Sequence, residues 1–178
     1  MRLKELIIAS LFAALTIGTA QAEVDSIGET GFTIKSNVHL KAGRSAAFAQ
    51  LIQIGDWWFD DHTWFGSSQA MQIEEHAGGC WCETAGKKSA VHGIVSQIDP
   101  GNLLRLNAAL GPLQEQAVSG VLTFKLEDMG SGAHLYVTYK VNGFSADEAN
   151  EWAPIVDFVI NEQVTRYGRL INTGKAGK

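Results

Sequence analysis

Hydrophobic and polar residues follow two different periods along this chain, and the periods divide it into strands and helices. Residues 32–40 alternate between apolar and polar positions, which is the pattern of a strand with one buried face. Residues 44–54 change to helical spacing, with the apolar side chains gathered on one face. An aromatic-rich connection, residues 55–66, then follows. The chain therefore predicts a strand, a helix and a long connection in that order.

Six short strands are predicted between this connection and about residue 143. The candidates are residues 70–76, 80–84, 91–98, 103–110, 121–127 and 135–141. Turn-forming residues at 128–132 join the last two, so we expect these two strands to form an antiparallel hairpin. On the final strand, either Tyr136 or Tyr139 must face the core, because successive side chains of a strand point to opposite faces.

The C-terminal region predicts a long amphipathic helix. Ser145 and Glu148 have the spacing of a capping box, and apolar residues recur at helical intervals over 152–171. Pro154 lacks a backbone N–H group, so we expect a short helical turn, a break near Trp152 and then the long helix. Residues 172–178 are expected to form a flexible tail.

These elements together predict an α+β protein with the helix-grip order. In this fold, a curved antiparallel sheet of six or seven strands grips the long C-terminal helix. A curved sheet covered by one helix leaves space between the two layers, where a ligand could bind. The candidate ligand-binding residues are Trp57, Trp58, Trp64, Trp81, Tyr136, Tyr139, Trp152, Val156 and Val159. The alternative is that the tryptophans fill the core, because aromatic side chains are major core residues.

The N-terminus has the features of a signal peptide over residues 1–22. Arg2 and Lys4 precede an apolar run at residues 6–17, and an Ala-Gln-Ala cleavage site ends at Ala22. A retained membrane anchor is the alternative, but the run is shorter than the ~20 apolar residues that span a bilayer. We expect a periplasmic or secreted protein with its domain at residues 23–171 and no stable membrane insertion after cleavage.

Charge excludes several classes of partner. The full chain has a formal net charge of −5, and its lysines and arginines are scattered without a basic patch. Nucleic acid and anionic membrane surfaces are therefore not expected partners. No sequence feature sets an oligomeric state.

Cys80 and Cys82 flank Trp81, and their environment is open to three interpretations. In an extended segment both thiols point to one face and Trp81 to the other. The pair could be two buried thiols, a disulfide of the kind that exported proteins form, or part of a metal site. A bridge between residues i and i+2 would be strained and easily reduced. No metal site is expected, because the histidines have no recognised ligand spacing.

His62, Glu83 and His92 are the candidate acid–base residues. Histidine titrates near neutral pH, and a partly buried glutamate can be shifted toward that range. A His–Glu pair could perform general acid–base chemistry on an enolisable or carbonyl ligand. The alternative is structural: His62 hydrogen-bonds the aromatic connection, Glu83 pairs with a basic neighbour and His92 is an ordinary strand residue. No cofactor is expected.

Several short strings carry a resemblance to a known superfamily. The chain resembles the SRPBCC superfamily (START, Bet v 1-like, polyketide cyclase), and most of all exported proteins near the activator-of-Hsp90-ATPase-like group. The strings are Trp57-Trp58, His62-Thr63-Trp64 with Gly66, Gly78 to Glu83, Val91-His92-Gly93, Asp99-Pro100-Gly101 with Leu104-Arg105-Leu106, and Leu110 to Gln114.

The resemblance implies a cavity for an apolar or aromatic small molecule. Some superfamily members bind and carry such molecules, whereas others cyclise or dehydrate polyketides. An Hsp90 connection fits a cytosolic chaperone and conflicts with the predicted export. We therefore expect a periplasmic binding or carrier domain, and the sequence leaves enzymatic activity open. One alternative is a cyclase- or dehydratase-type enzyme that uses His62 and Glu83, and another is a protein-interaction module without a ligand.

Overall fold

A computed structural model describes residues 21–177 of the chain, with side chains from Glu23 onward. Residues 1–20 of the predicted signal peptide lie outside this range. The strands are β1 (Gln21–Gly28), β2 (Gly31–Leu40), β3 (Met71–Ile73), β4 (Cys80–Ala85), β5 (Lys88–Asp99), β6 (Leu103–Asn107), β7 (Ser119–Asp128) and β8 (Ala133–Asn142). The helices are α1 (Arg44–Ile52) and α2 (Ala146–Thr173), and short 3-10 turns lie at Ile54–Asp56, Asp60–His62, Ser68–Ala70 and Gly111–Glu115.

The strands form one curved antiparallel sheet, which α2 covers. The order across the sheet is β1-β2-β8-β7-β6-β5-β4-β3, with every neighbouring pair antiparallel. The predicted α+β class and helix-grip architecture are confirmed. The sheet has eight strands rather than six or seven. The predicted hairpin is β7 and β8, and Leu135, Val137 and Tyr139 of β8 are buried.

The extra strand is β1, where the sequence showed only a polar lead-in at residues 23–29. From Glu23 to Gly28 nearly every residue of β1 is exposed, so no hydrophobic alternation marks it. Main-chain pairing with β2 defines this strand, with Val24 opposite Ile34, and among residues 23–28 only Val24 packs against the core. An edge strand that contributes one side chain to the core leaves almost no pattern in the sequence.

Helix α2 is continuous, so the predicted break near Trp152 is wrong. Ser145 and Glu148 form the predicted capping box at its start. Pro154 lies inside the helix on its exposed side, while Ala153 and Val156 on either side of it are buried. Burial of this face outweighs the backbone hydrogen bond that proline removes, which alone would favour a break.

The helix also ends later than predicted. It continues through Thr173 and ends at Gly174, which has a left-handed conformation. Asn172, expected in the flexible tail, instead connects α2 to the end of β2 and the residue that follows it. Its Oδ1 accepts a hydrogen bond from the backbone N–H of Lys41 at 2.8 Å, and its Nδ2 donates to the carbonyl of His39 at 2.9 Å.

The two halves of α2 contact different parts of the molecule. In the C-terminal half, Gly168 lies directly against Val38 of β2, and the hydroxyl of Tyr167 donates a hydrogen bond to the carbonyl of Ala47 at 2.7 Å. This half is thus packed closely on the sheet and α1. The N-terminal half, from Trp152 to Ile160, borders a cavity.

Candidate functional site

A cavity of about 390 Å³ lies between the concave face of the sheet and the N-terminal half of α2. This volume falls within the range of about 300–1,000 Å³ for small-molecule sites. Most of the lining is apolar or aromatic. The lining residues are Trp58, Asp61, His62, Thr63, Trp64, His92, Leu110, Gly111, Pro112, Leu113, Tyr139, Trp152, Ile155, Val156, Val159 and Ile160. Trp64 and Ile155 are the more exposed of these, at 41% and 57%, and mark the mouth.

The structure brings together most of the residues that the sequence assigned to ligand binding. Those at the cavity are Trp58, Trp64, Tyr139, Trp152, Val156 and Val159. Trp57 and Trp81 are fully buried in the core and do not line it, whereas Tyr136 is 40% exposed on the opposite face of the sheet. Tyr139 faces the cavity and Tyr136 faces away from it, because residues three positions apart on one strand point to opposite faces of the sheet.

The two buried tryptophans support the cavity wall from behind. Trp57 packs edge-on against Tyr167 of α2, with ring centroids 5.3 Å apart. Trp81 packs edge-on against Trp58 at 4.8 Å and stacks on the ring of His92 at 5.3 Å. Both Trp58 and His92 line the cavity, so Trp81 fixes two lining side chains from the core side.

His92 and Glu83 form a buried pair at one side of the cavity. Nε2 of His92 lies 2.9 Å from Oε2 of Glu83, and the two side chains are 3% and 0% exposed. Burial lowers the pKa of His92, while the hydrogen bond to Glu83 acts in the opposite direction. The imidazole reaches the cavity, whereas the carboxylate lies behind it.

The Glu83 carboxylate also holds the aromatic connection in place. Its Oε2 accepts the backbone N–H of Trp64 at 2.9 Å, and its Oε1 accepts that of Phe65 at 2.6 Å. Glu83 thereby connects the mouth residue Trp64 to the buried His92.

His62 pairs with a different carboxylate from the one that His92 contacts. Its Nε2 lies 3.0 Å from Oε2 of Glu162 on α2, and both side chains are partly exposed. The backbone carbonyl of His62 accepts a hydrogen bond from Nε1 of Trp58 at 2.9 Å. The structure therefore holds two separate His–Glu pairs, one buried and one near the mouth.

Tyr139 is the other polar side chain in the deep part of the cavity. Its hydroxyl donates to the carbonyl of Ala108 at 2.9 Å and accepts the N–H of Leu110 at 3.1 Å. Burial raises the pKa of Tyr139 well above its usual range. These contacts hold the segment after β6 as a cavity wall, which is why the strand predicted at 103–110 ends at Asn107.

Cys80 and Cys82 are joined as a disulfide, with their Cα atoms 5.3 Å apart. Both residues are partly buried, on the face of β4 opposite the fully buried Trp81. The strand has a register shift at Trp81 and Cys82. The disulfide therefore lies outside the cavity. Its two cysteines flank Trp81, which supports the cavity wall.

Sequence reasoning missed Glu162 and the cavity wall formed by residues 110–113. Glu162 follows Ile155 and Val159 at helical spacing on the same side of α2, so its place near the mouth was available from the pattern. The wall at 110–113 had no such signal, because its position depends on contacts with β8.

No helix within residues 21–177 is both long enough and apolar enough to cross a membrane. No group of three or more His, Cys, Asp or Glu side chains in the range is arranged to hold a metal ion.

Comparison with known proteins shows the fold only. No protein-family model matches the sequence, and no curated protein matches it. A structure from Rhodobacter sphaeroides is similar with a TM-score of 0.55 and 14% identity, over 83% of this chain and 94% of that one. A structure from Staphylococcus saprophyticus has a TM-score of 0.54 and 11% identity, over 80% and 93%.

A third similar structure comes from Corynebacterium glutamicum and is described as a Polyketide_cyc-like protein. It has a TM-score of 0.47 and 13% identity, over 78% of this chain and 90% of that one. The first two likenesses support the helix-grip fold, and none of the three assigns an activity.

Proposed function

We propose that this protein binds an apolar or aromatic small molecule between its sheet and α2, and carries it outside the cytoplasm. The observation behind the proposal is the cavity of about 390 Å³ with its mainly apolar and aromatic lining. Membership of the SRPBCC superfamily is part of the proposal and rests on the resemblance of the sequence strings.

Thermal stability in the presence of a panel of aromatic and fatty compounds tests this binding. A ligand at a hundredfold excess over its dissociation constant should stabilise the fold by about 2.7 kcal/mol. Val159→Trp should fill the cavity and abolish the shift. Phe158→Trp is the matched control, because Phe158 is its neighbour on α2, is 69% exposed and does not line the cavity.

The results separate binding from the alternative of a ligand-free interaction module. Binding predicts that the wild type and Phe158→Trp respond to a compound and that Val159→Trp does not. If no compound shifts the wild type, and Val159→Trp loses about 1–3 kcal/mol through overpacking, the carrier function is wrong.

A cyclase- or dehydratase-type enzyme is the second candidate, favoured by the contact of His92 with both the cavity and Glu83. A histidine held by a carboxylate is a common general base. Loss of turnover in His92→Phe with ligand binding retained would support the enzyme. Turnover that survives this change would argue against the enzyme. His62→Phe tests the pair formed by His62 and Glu162 in the same assay.

Export is proposed from the features of residues 1–22. Cleavage after Ala22 would give a mature protein that begins at Glu23, with a mass lower by that of residues 1–22. Mass spectrometry of the protein from its own host measures this difference directly. Full-length protein in the inner membrane would contradict the proposal.

A further inference from the structure

The Glu83 carboxylate determines which nitrogen of His92 carries the hydrogen. Both of its oxygens already accept backbone N–H groups, from Trp64 and Phe65. An ionised carboxylate only accepts hydrogen bonds. The Nε2 atom of His92, 2.9 Å away, must therefore be the donor.

A neutral imidazole has one donor and one acceptor nitrogen, so Nδ1 of His92 is the acceptor. Within residues 21–177, Nδ1 makes no hydrogen bond, while His92 lines the cavity. Burial supports the neutral ring, because it lowers the pKa of His92. The hydrogen bond from Nε2–H to a carboxylate also makes the opposite nitrogen a better acceptor.

Two donors in the lining of the cavity are already used by backbone carbonyls. The Tyr139 hydroxyl donates to the carbonyl of Ala108, and Nε1 of Trp58 donates to the carbonyl of His62. Neither donor is available to satisfy Nδ1 of His92. An apolar ligand without a donor would cover this nitrogen and leave it unpaired, which is unfavourable.

We propose that the cavity selects apolar ligands that carry a hydroxyl donor, such as a phenol or an enol, and that this hydroxyl donates its hydrogen to Nδ1 of His92. The inference rests on the proposed function, because it requires a ligand in the cavity. It specifies the chemical class of that ligand, which is an aromatic or alicyclic molecule with one hydroxyl group on the side that faces β5. Glu83 is a positioning residue that sets the tautomer.

Binding of three naphthalenes of similar size tests the proposal by calorimetry. 2-Naphthol has a hydroxyl donor, 2-methoxynaphthalene has only an acceptor, and 2-methylnaphthalene has neither. The wild type should bind 2-naphthol about tenfold more tightly than either analogue. His92→Phe, which keeps a ring against Trp81, should lose this preference and still bind 2-methylnaphthalene.

His134→Phe is the matched control, because Nε2 of His134 lies 3.0 Å from Oδ1 of Asn37 and the side chain does not line the cavity. It should keep the preference for 2-naphthol. Equal affinities of the wild type for the three compounds, or a preference that survives in His92→Phe, would overturn the proposal. If the wild type binds none of the three or any other compound of the panel, the proposed carrier function fails instead.

A measurement on the unmutated protein keeps the proposal testable even if His92→Phe does not fold. Nitrogen-15 NMR of the histidine rings distinguishes the two tautomers. We expect His92 to carry its hydrogen on Nε2, and its Nδ1 resonance to move when 2-naphthol is added. A hydrogen on Nδ1 in the free protein would show that the inference is wrong.

Discussion

Gly168 of α2 lies so close to Val38 of β2 that a methyl group added at Gly168 would meet Cγ2 of Val38 at 2.6 Å. This contact holds the C-terminal half of the helix on the sheet, while the N-terminal half borders the cavity. The close approach of α2 to β2 at this point therefore depends on the absence of a side chain at Gly168.

Gly168→Ala should destabilise the protein by about 1–3 kcal/mol, because two buried groups would overlap. In a Val38→Ala background the same change should be neutral or stabilising by up to about 1 kcal/mol, since alanine favours helix over glycine. Urea unfolding of the wild type, the two single variants and the double variant gives the coupling free energy between Gly168 and Val38. Additive effects would contradict a direct contact between the two residues.

Pro154→Ala should raise the free energy of unfolding. Pro154 is exposed and removes one backbone hydrogen bond from the middle of α2, so its replacement restores a donor without a loss of packing. A gain of roughly 1–3 kcal/mol is expected in urea unfolding. Glu151→Ala, at another exposed position of α2, should change stability by less than about 0.5 kcal/mol. A loss of stability in Pro154→Ala would mean that the helix needs the proline.

Glu83→Gln should loosen the aromatic connection, although the side chains are nearly the same size. The amide NH₂ group of glutamine would face one of the backbone donors, Trp64 N–H or Phe65 N–H, in either orientation. An unsatisfied buried donor costs about 1–3 kcal/mol. Hydrogen exchange should show faster exchange at Trp64 and Phe65, and unchanged protection at both would contradict the role of Glu83.

Reduction of the Cys80–Cys82 disulfide should leave the fold intact. A bridge that closes a three-residue loop constrains the unfolded chain little, so its loss should cost less than about 2 kcal/mol. Mild reductant should add the mass of two hydrogens while the circular dichroism spectrum stays the same. Two free thiols in protein prepared without reductant would contradict the disulfide.

Stability should fall as the pH drops below about 6.5, the ordinary pKa of histidine. Burial places the pKa of His92 below that value, so in this window the unfolded chain binds a proton that the folded chain does not. His134 contributes with the same sign, because burial and His39 lower its pKa as well.

Urea unfolding between about pH 7 and 5 measures this dependence. His92→Phe and His134→Phe should each reduce the slope, and the double variant should reduce it further. A slope that neither variant changes would exclude both histidines as its source.

The sequence by itself determined the elements whose pattern is local. Hydrophobic alternation and helical spacing gave β2, β7, β8, α1 and α2, and the Ser145–Glu148 spacing gave the start of α2. From these elements the helix-grip architecture followed, because an amphipathic helix must cover the apolar face of a sheet. Strand β1 had no such pattern, since main-chain pairing holds it at the edge.

Tertiary structure decided the pairings within the candidate site. His62 and Glu162 are 100 residues apart, and no local pattern links them. Glu83 and His92 lie on neighbouring strands, and a register shift between those strands sets which side chains meet. Which tryptophans line the cavity and which support it depends in the same way on how the curved sheet, the aromatic connection and α2 pack together. Hydrophobicity marks a residue for burial, but only the packing of distant segments decides whether that residue faces the core or the cavity.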